Sequence, residues 1–230
     1  GVVMRTYADP DISFTILVSL FVAAISVIMY FYTKPAIPAK EEELDGYSLE
    51  KKVMKQLNSI FHTNPIPNVV LQHTKGTAEI DIIQVTRKGI FVVECKYRTD
   101  EVSGSAIEYF WDITRNGKEI ATMYNPIKQN ANHIKTLESY LKKEGIEAPT
   151  VYNVVVIVAK ELSIKELDQI DTNTVLVQGL NDLKKLDSLP DELSDKQILE
   201  FQAIIEKKES TEYQRRKHVE YVKNQYSKSN

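Results

Sequence analysis

Three residues of this sequence, Asp81, Glu94 and Lys96, have the types and the spacing that could support metal-dependent chemistry. They lie in two successive runs rich in β-branched residues, which predicts that two neighbouring strands carry them. Two carboxylates that converge from adjacent strands form a hard oxygen site of the kind that Mg²⁺ or Mn²⁺ prefers. The backbone carbonyl of Cys95, between Glu94 and Lys96, could supply a further metal ligand.

Lys96 adds a positive charge to the same candidate site. Side chains two residues apart on a strand point to the same face, so its ammonium would lie beside the Glu94 carboxylate. There it could act on a metal-bound water or on a scissile phosphate, where it would neutralise developing charge. The alternative is a solvated strand face, on which each Glu–Lys pair contributes only about a few tenths of a kcal/mol.

The two runs, residues 79–85 and 90–97, are predicted to pair as a β-hairpin. A two-residue loop at 87–88 and a four-residue loop at 86–89 both pair residues whose numbers sum to 175. A three-residue loop with a bulge at Gly89 would shift this register by one residue.

In the register whose paired residue numbers sum to 175, Asp81 faces Glu94 and Glu79 faces Lys96. Directly opposed residues point to the same side of an antiparallel pair, so one face would gather four charged groups. Apolar residues would cover the other face: Ile80, Ile82, Phe91, Val93 and Cys95. The Cys95 side chain is therefore interpreted as a small hydrophobe that points to the core.

A helix is predicted to precede the hairpin, from residue 44 to Asn58, with Glu50 on or beside its apolar stripe. A carboxylate at such a position is unusual, because burying it without a partner costs several kcal/mol. From the helix alone, the favoured interpretation of Glu50 is a rim glutamate that reaches solvent.

A second helix is predicted after the hairpin, with Asn125 as its cap and Gly145 at its end. Gln129 and His133 are four residues apart and share one face of it. His133 could contact a substrate phosphate or position Gln129, and the alternative for both residues is a polar flank beside the core.

The remaining pattern predicts an α/β domain with further short elements. Strands are predicted at 69–72, 110–114, 118–122, 151–158 and 175–177, and helices at 180–186 and from Ser194 to about Lys208. Trp111, on the strand before the Asn116-Gly117 turn, is a candidate substrate-binding residue, with a core or lid position as the alternative.

Together these residues resemble the PD-(D/E)xK nuclease superfamily and, within it, the NERD (nuclease-related) domain. The resemblance covers about residues 44–160. It rests on Gly46 with Glu50, Glu79-Ile80-Asp81, the run from Gly89 to Lys96, Trp111, Asn125-Pro126-Ile127 with Gln129, and His133. Ile80 stands where the superfamily has a proline before the aspartate, a departure that NERD domains tolerate.

The resemblance implies a restriction-endonuclease-like mixed sheet flanked by helices. It implies that Asp81 and Glu94 are ligands of Mg²⁺ or Mn²⁺ and that Lys96 is the catalytic lysine. Glu50 would be an auxiliary acid and Gln129 an active-site support.

Composition sets limits on other classes of function. One cysteine in 230 residues excludes an internal disulfide framework and a multi-cysteine zinc or iron–sulfur site. The formal net charge is -3, from 29 Lys and Arg against 32 Asp and Glu, so any nucleic-acid binding must be local rather than driven by bulk charge.

Residues 13–32 carry no charged side chain and are predicted to form a transmembrane helix. At 1.5 Å per residue such a helix spans about 30 Å, the thickness of a hydrocarbon core. A cleavable signal peptide is the competing interpretation, but its apolar region would be too long. Lysines are concentrated after the segment, which predicts a cytoplasmic main domain.

The chain is accordingly divided into a short N-terminal segment (1–12), the transmembrane helix (13–32), a linker (33–43), the nuclease-like domain (44–187), and a C-terminal helix with a basic tail (188–230). The expected function is metal-dependent hydrolysis of phosphodiester bonds, with DNA as the expected partner, by a single-pass protein of the cell membrane. The alternative is a catalytically inactive nucleic-acid-binding or assembly module of a membrane-associated DNA transfer or defence complex. Association into a homo-oligomer stays open.

Overall fold

A computed structural model of the chain describes residues 46–73 and 76–208. The predicted transmembrane helix at 13–32, the linker at 33–43 and the tail beyond residue 208 lie outside these residues. Within the described ranges, no helix is both long enough and apolar enough to cross a membrane.

Five strands form a mixed sheet that follows the first helix, α1 (Gly46–Phe61). In chain order the strands are β1 (Ile66–His73), β2 (Gly76–Thr86), β3 (Gly89–Tyr97), β7 (Val151–Val158) and β9 (Thr174–Gln178). β1, β2 and β3 are antiparallel neighbours, whereas β3, β7 and β9 run parallel to one another. The β7 strand is almost wholly buried, as its continuous apolar sequence predicts.

A second sheet has four strands, which are β4 (Glu101–Ser105), β5 (Phe110–Arg115), β6 (Lys118–Tyr124) and β8 (Glu161–Lys165). Their order in the sheet is β6-β5-β4-β8. The hairpin of β5 and β6 turns at Asn116-Gly117, where both residues have positive φ, as the Asn-Gly signal predicts. The strands β4 and β8 have no counterpart in the sequence prediction.

Helices pack on both faces of the five-stranded sheet. On one face α1 contributes Leu49, Val53 and Leu57 to a core that includes Phe91 and Val93 of β3. On the other face lie α2 (Pro126–Lys143) and α3 (Asp195–Glu206), whose apolar residues share a second core. Its helical members are Leu137, Leu141, Ile198, Phe201 and Ile205. Short 3₁₀ helices at Leu167–Gln169 and Leu180–Ser188 complete the described elements.

Caps set the ends of the helices near the positions that the sequence predicts. The side chain of Asn125 accepts a hydrogen bond from the N–H of Ile127, and the proline of α2 follows directly. Ser194 forms a capping box with Gln197 at the start of α3. The predicted end of α1 at Asn58 is wrong by one turn, because the helix continues to Phe61.

The predicted register of the β2–β3 hairpin is confirmed. Thr86 pairs with Gly89 and Ile82 pairs with Val93, so that paired residue numbers sum to 175. Gly89 has a φ of +123°, and a Cβ at this position would lie 2.4 Å from the carbonyl oxygen of Thr150. Any other residue would therefore strain the turn and collide with the neighbouring backbone.

The prediction that Ile80 and Ile82 share one face is wrong. Ile82 packs in the α1-side core, whereas Ile80 packs in the α2-side core. The alternation changes at Asp81, where the ladder to β3 stops and where the opposing Asn68 of β1 has a positive φ of 51°. This irregularity lies at the predicted site.

Candidate active site

The ladder between β2 and β3 ends at the pair Ile82–Val93, one residue before Asp81 and Glu94. In a continued ladder Cys95 would face Ile80, but its N–H instead donates to Oδ2 of Asp81 at 2.9 Å. The expected ladder pairs of Asp81 with Glu94 and of Glu79 with Lys96 therefore do not form. The Asp81 carboxylate ties the two strands together where their backbone pairing has stopped.

Glu94 is the most deeply buried charged residue of this region, with 1 % of its side chain exposed. One of its oxygens, Oε1, contacts the ammonium of Lys96, which keeps 22 % of its side chain exposed. The other oxygen, Oε2, lies 3.5 Å from Nδ1 of His133. Within the described part of the chain neither Oε2 of Glu94 nor Nδ1 of His133 has a hydrogen-bond partner.

These surroundings shift both titratable groups away from their charged forms. Burial, together with the nearby Asp81 carboxylate, raises the pKa of Glu94 to about 8. The Lys96 ammonium opposes this rise without cancelling it. Burial, with Lys96 nearby, lowers the pKa of His133 to about 4. At neutral pH the metal-free site therefore holds a protonated Glu94 beside a neutral imidazole.

One more predicted residue, Glu50, lies close enough to act on this site electrostatically. Glu50 of α1 raises the pKa of both Glu94 and the Cys95 thiol, although it is a minor cause for Glu94. Burial is the largest cause for Cys95, and it holds the thiol pKa well above its usual range. The Cys95 side chain packs against the α1-side core, as predicted.

Gln129 and Trp111 occupy different positions relative to the carboxylates. Gln129 is half-buried on α2, one turn before His133. Trp111 is fully buried in a separate core, and its Nε1–H donates to the carbonyl of Ser105 at 2.7 Å. The expectation that Trp111 binds substrate is therefore corrected to a core role, because its ring has no exposed surface.

A buried asparagine pair, which the sequence analysis did not identify, fixes α2 against the sheet. Nδ2 of Asn130 donates to the carbonyl of Val92 at 2.7 Å and to Oδ1 of Asn153 at 2.8 Å. Nδ2 of Asn153 donates in turn to the carbonyl of Ile127 at 2.9 Å. Val92 is two residues before Glu94 and Asn130 is three before His133, so these bonds hold the imidazole over the carboxylate.

A signal for this pair was present in the sequence. Asn130 falls three residues after Ile127 on the apolar stripe of α2, and Asn153 interrupts the otherwise apolar strand β7. Polar residues at two core positions are costly unless they satisfy each other, which predicts mutual contact.

The donor set fits a divalent cation held by few protein ligands. The described residues contain no group of three His, Cys, Asp or Glu side chains arranged to hold a metal ion. Two carboxylates do converge, and one of them keeps a buried oxygen without a hydrogen bond. A cation with oxygen ligands would satisfy that oxygen and remove the repulsion between Asp81 and Glu94.

One comparison with known proteins gives a match. The family model described as NERD, the nuclease-related domain, matches residues 45–158. Neither the search of curated proteins nor the search of solved structures gave a match. The converging residues Glu50, Asp81, Glu94, Lys96 and His133 all lie inside the matched range. The family that this part of the chain matches is therefore the nuclease-related domain family, as its motifs indicate.

Proposed function

We propose that the chain is a membrane-anchored nuclease that hydrolyses phosphodiester bonds with the help of Mg²⁺ or Mn²⁺, and that DNA is its substrate. The observation that carries this proposal is the buried, unsatisfied Oε2 of Glu94 between Asp81, Lys96 and His133. A binding module would have no use for a buried carboxyl group that is held beside a second carboxylate, a lysine and a histidine.

The residues of the site have separate roles in this proposal. Asp81 and Glu94 would hold the cation together with the backbone oxygen of Cys95. The bound cation would supply Lewis-acid activation of the phosphate and of the attacking water. Lys96 keeps part of its side chain in solvent, so its ammonium can reach a phosphate placed beside Glu94. His133 stays neutral near pH 7 and can accept a proton or a hydrogen bond at Nδ1.

A cleavage assay on the full chain in detergent tests the proposal. Single- and double-stranded DNA and RNA are incubated with Mg²⁺, with Mn²⁺ or with EDTA, and the products are resolved by length. The matched control is an Asp81→Asn, Glu94→Gln double variant, purified in the same way, because it identifies contaminating nuclease. Equal cleavage by the parent and this control would contradict the proposal.

Metal binding is expected to stabilise the parent protein and not a variant that lacks Asp81. A ligand that binds only the folded state adds about 2.7 kcal/mol to the free energy of unfolding when its concentration is a hundred times its Kd. The melting temperature rises as a result. Thermal melts with and without Mn²⁺ should therefore differ for the parent and coincide for Asp81→Ala. Asp81→Asn, which keeps an acceptor for the Cys95 N–H, should also lose the shift. A full shift in both variants would place the metal elsewhere.

The proposed membrane anchor is tested by extraction. Full-length protein in membranes should resist alkaline carbonate and dissolve in detergent, because residues 13–32 are long and apolar enough to span the bilayer. A fragment from Glu41 onward should stay in the soluble fraction. Release of the full-length protein by carbonate alone would refute the anchor.

A further inference from the structure

Three aromatic rings and one lysine form an exposed cluster at the junction of the second sheet and α2. We call it the aromatic platform; it consists of Tyr109, Phe110, Tyr124 and Lys128. The three aromatic residues are 64 %, 58 % and 37 % exposed, in chain order. The ring centroids of Tyr109 and Phe110 lie 6.5 Å and 5.9 Å from that of Tyr124. Nζ of Lys128 lies 4.7 Å from the centroid of the Tyr109 ring.

The fold does not need these rings for its own core. Phe110 and Tyr124 are directly opposed across β5 and β6, and the next pair, Trp111 and Met123, points inward and is buried. The outward face of such a hairpin normally carries polar residues. A contiguous aromatic surface that stays exposed beside a complete core marks an interaction site.

Asn125 connects the aromatic platform rigidly to the helix of the candidate site. Its backbone N–H donates to the carbonyl of Tyr109 at 2.8 Å, and its Nδ2 donates to the carbonyl of Glu108 at 2.7 Å. The same side chain caps α2. From Lys128 to His133 the helix rises about 8 Å along its axis, so the platform and the site belong to one rigid unit.

We propose that the aromatic platform binds the bases of a single-stranded nucleic acid, an inference that rests on the proposed function and specifies its substrate class. Exposed aromatic rings can stack on bases, and stacking platforms are the usual means of holding single strands. Intact duplex hides its base faces, so the platform favours single strands, flaps or frayed ends. Lys128 supplies one cation for a neighbouring phosphate.

The charges around the platform determine how it binds. Glu108 and Asp112 are exposed next to the rings and repel phosphates, whereas Lys128 attracts them. Contact through bases tolerates this balance, but contact through the phosphate backbone does not. The part of the affinity that depends on the rings should therefore change little with salt concentration.

Binding of a labelled oligothymidylate of about 12 nucleotides to the full chain in detergent and EDTA tests the inference by fluorescence anisotropy. The test variant is Tyr109→Ala with Phe110→Ala. The matched control is Tyr47→Ala, because Tyr47 is 56 % exposed and has Nζ of Lys51 at 4.1 Å from its ring, on α1. Thermal melts establish that both variants are folded.

The test variant should bind the oligonucleotide at least about fivefold more weakly for each ring removed, at low and at moderate salt. The control should bind within about twofold of the parent, and blunt duplex should bind all three proteins alike. Unchanged single-strand affinity in the test variant would overturn the inference. So would a change in oligomeric state by light scattering without a change in affinity, since the rings would then contact a second copy of the chain.

The binding experiment tests this inference separately from the proposed function, because EDTA removes the divalent cation that cleavage would need. A ring-dependent affinity in a protein that cuts nothing would support the platform and contradict the nuclease. Cleavage of single strands with no dependence of affinity on the rings would do the reverse.

Discussion

Replacing Lys96 with methionine is expected to lower the rate of nucleic-acid cleavage at least about a hundredfold, while the protein stays folded and still binds metal. Methionine preserves much of the stem that packs beside Glu94 and removes only the ammonium. The loss follows if that charge acts on the attacking water or on the scissile phosphate. Initial cleavage rates with saturating metal measure it.

The Lys96→Met experiment needs a pH series as well as a control. Lys96 lowers the pKa of Glu94, so its removal keeps Glu94 protonated to higher pH. Activity that recovers at pH 9 would mean that Lys96 acts through Glu94 and not on the substrate. Lys51→Met is the charge control, because Lys51 is exposed on α1 and should change the rate little. Equal losses of cleavage rate in both variants would mean that Lys96 contributes only through the general charge of the protein.

Without metal, the stability of the protein is expected to fall as pH rises from about 6.5 to about 8. The folded-state pKa of Glu94 is raised to about 8, above its unfolded value, so the folded protein binds a proton that the unfolded chain has released. The slope approaches about 1.4 kcal/mol per pH unit, the value for one proton. Below pH 6.5 the slope flattens, because the lowered pKa of His133 adds a change of opposite sign.

Urea unfolding at several pH values measures this dependence, and Glu94→Gln should remove the slope between pH 6.5 and 8. The same proton competes with the cation, so the metal-induced rise in melting temperature should increase with pH up to about 8. If the free energy of unfolding of the parent protein does not change between pH 6.5 and 8, the raised pKa of Glu94 is contradicted. A slope of equal size in Glu94→Gln would assign the proton to another group.

The central hairpin could be predicted because its determinants are local. The two-residue turn at 87–88 fixes the register, and a period of two places Asp81, Glu94 and Lys96 in one region. The end of the ladder before Asp81 could not be predicted in the same way. It coincides with Asn68 on β1, whose positive φ is not specified by the residues of the hairpin.

Two strands of the second sheet, β4 and β8, escaped prediction because each is short and contains few apolar residues. The sequence of β4 is EVSGS, which contains one large apolar residue, and that of β8 is ELSIK, which alternates over five residues only. The glycine at position 104 of β4 is required by a tertiary contact, because a Cβ there would lie 2.5 Å from Cδ1 of Trp111. Trp111 therefore needed a partner strand before its core position could be recognised.

The asparagine pair makes the candidate site sensitive to the length of one short stretch of α2. Asn130 is fixed on the sheet at Val92 and Asn153, and His133 follows it by three residues. One residue inserted between Asn130 and His133 would rotate the imidazole by about 100° and carry it away from Glu94. An insertion after Lys143, in the loop that leads to β7, leaves that spacing intact. Homologous proteins with this arrangement should therefore vary in length beyond the helix while keeping a three-residue interval between the asparagine and the histidine.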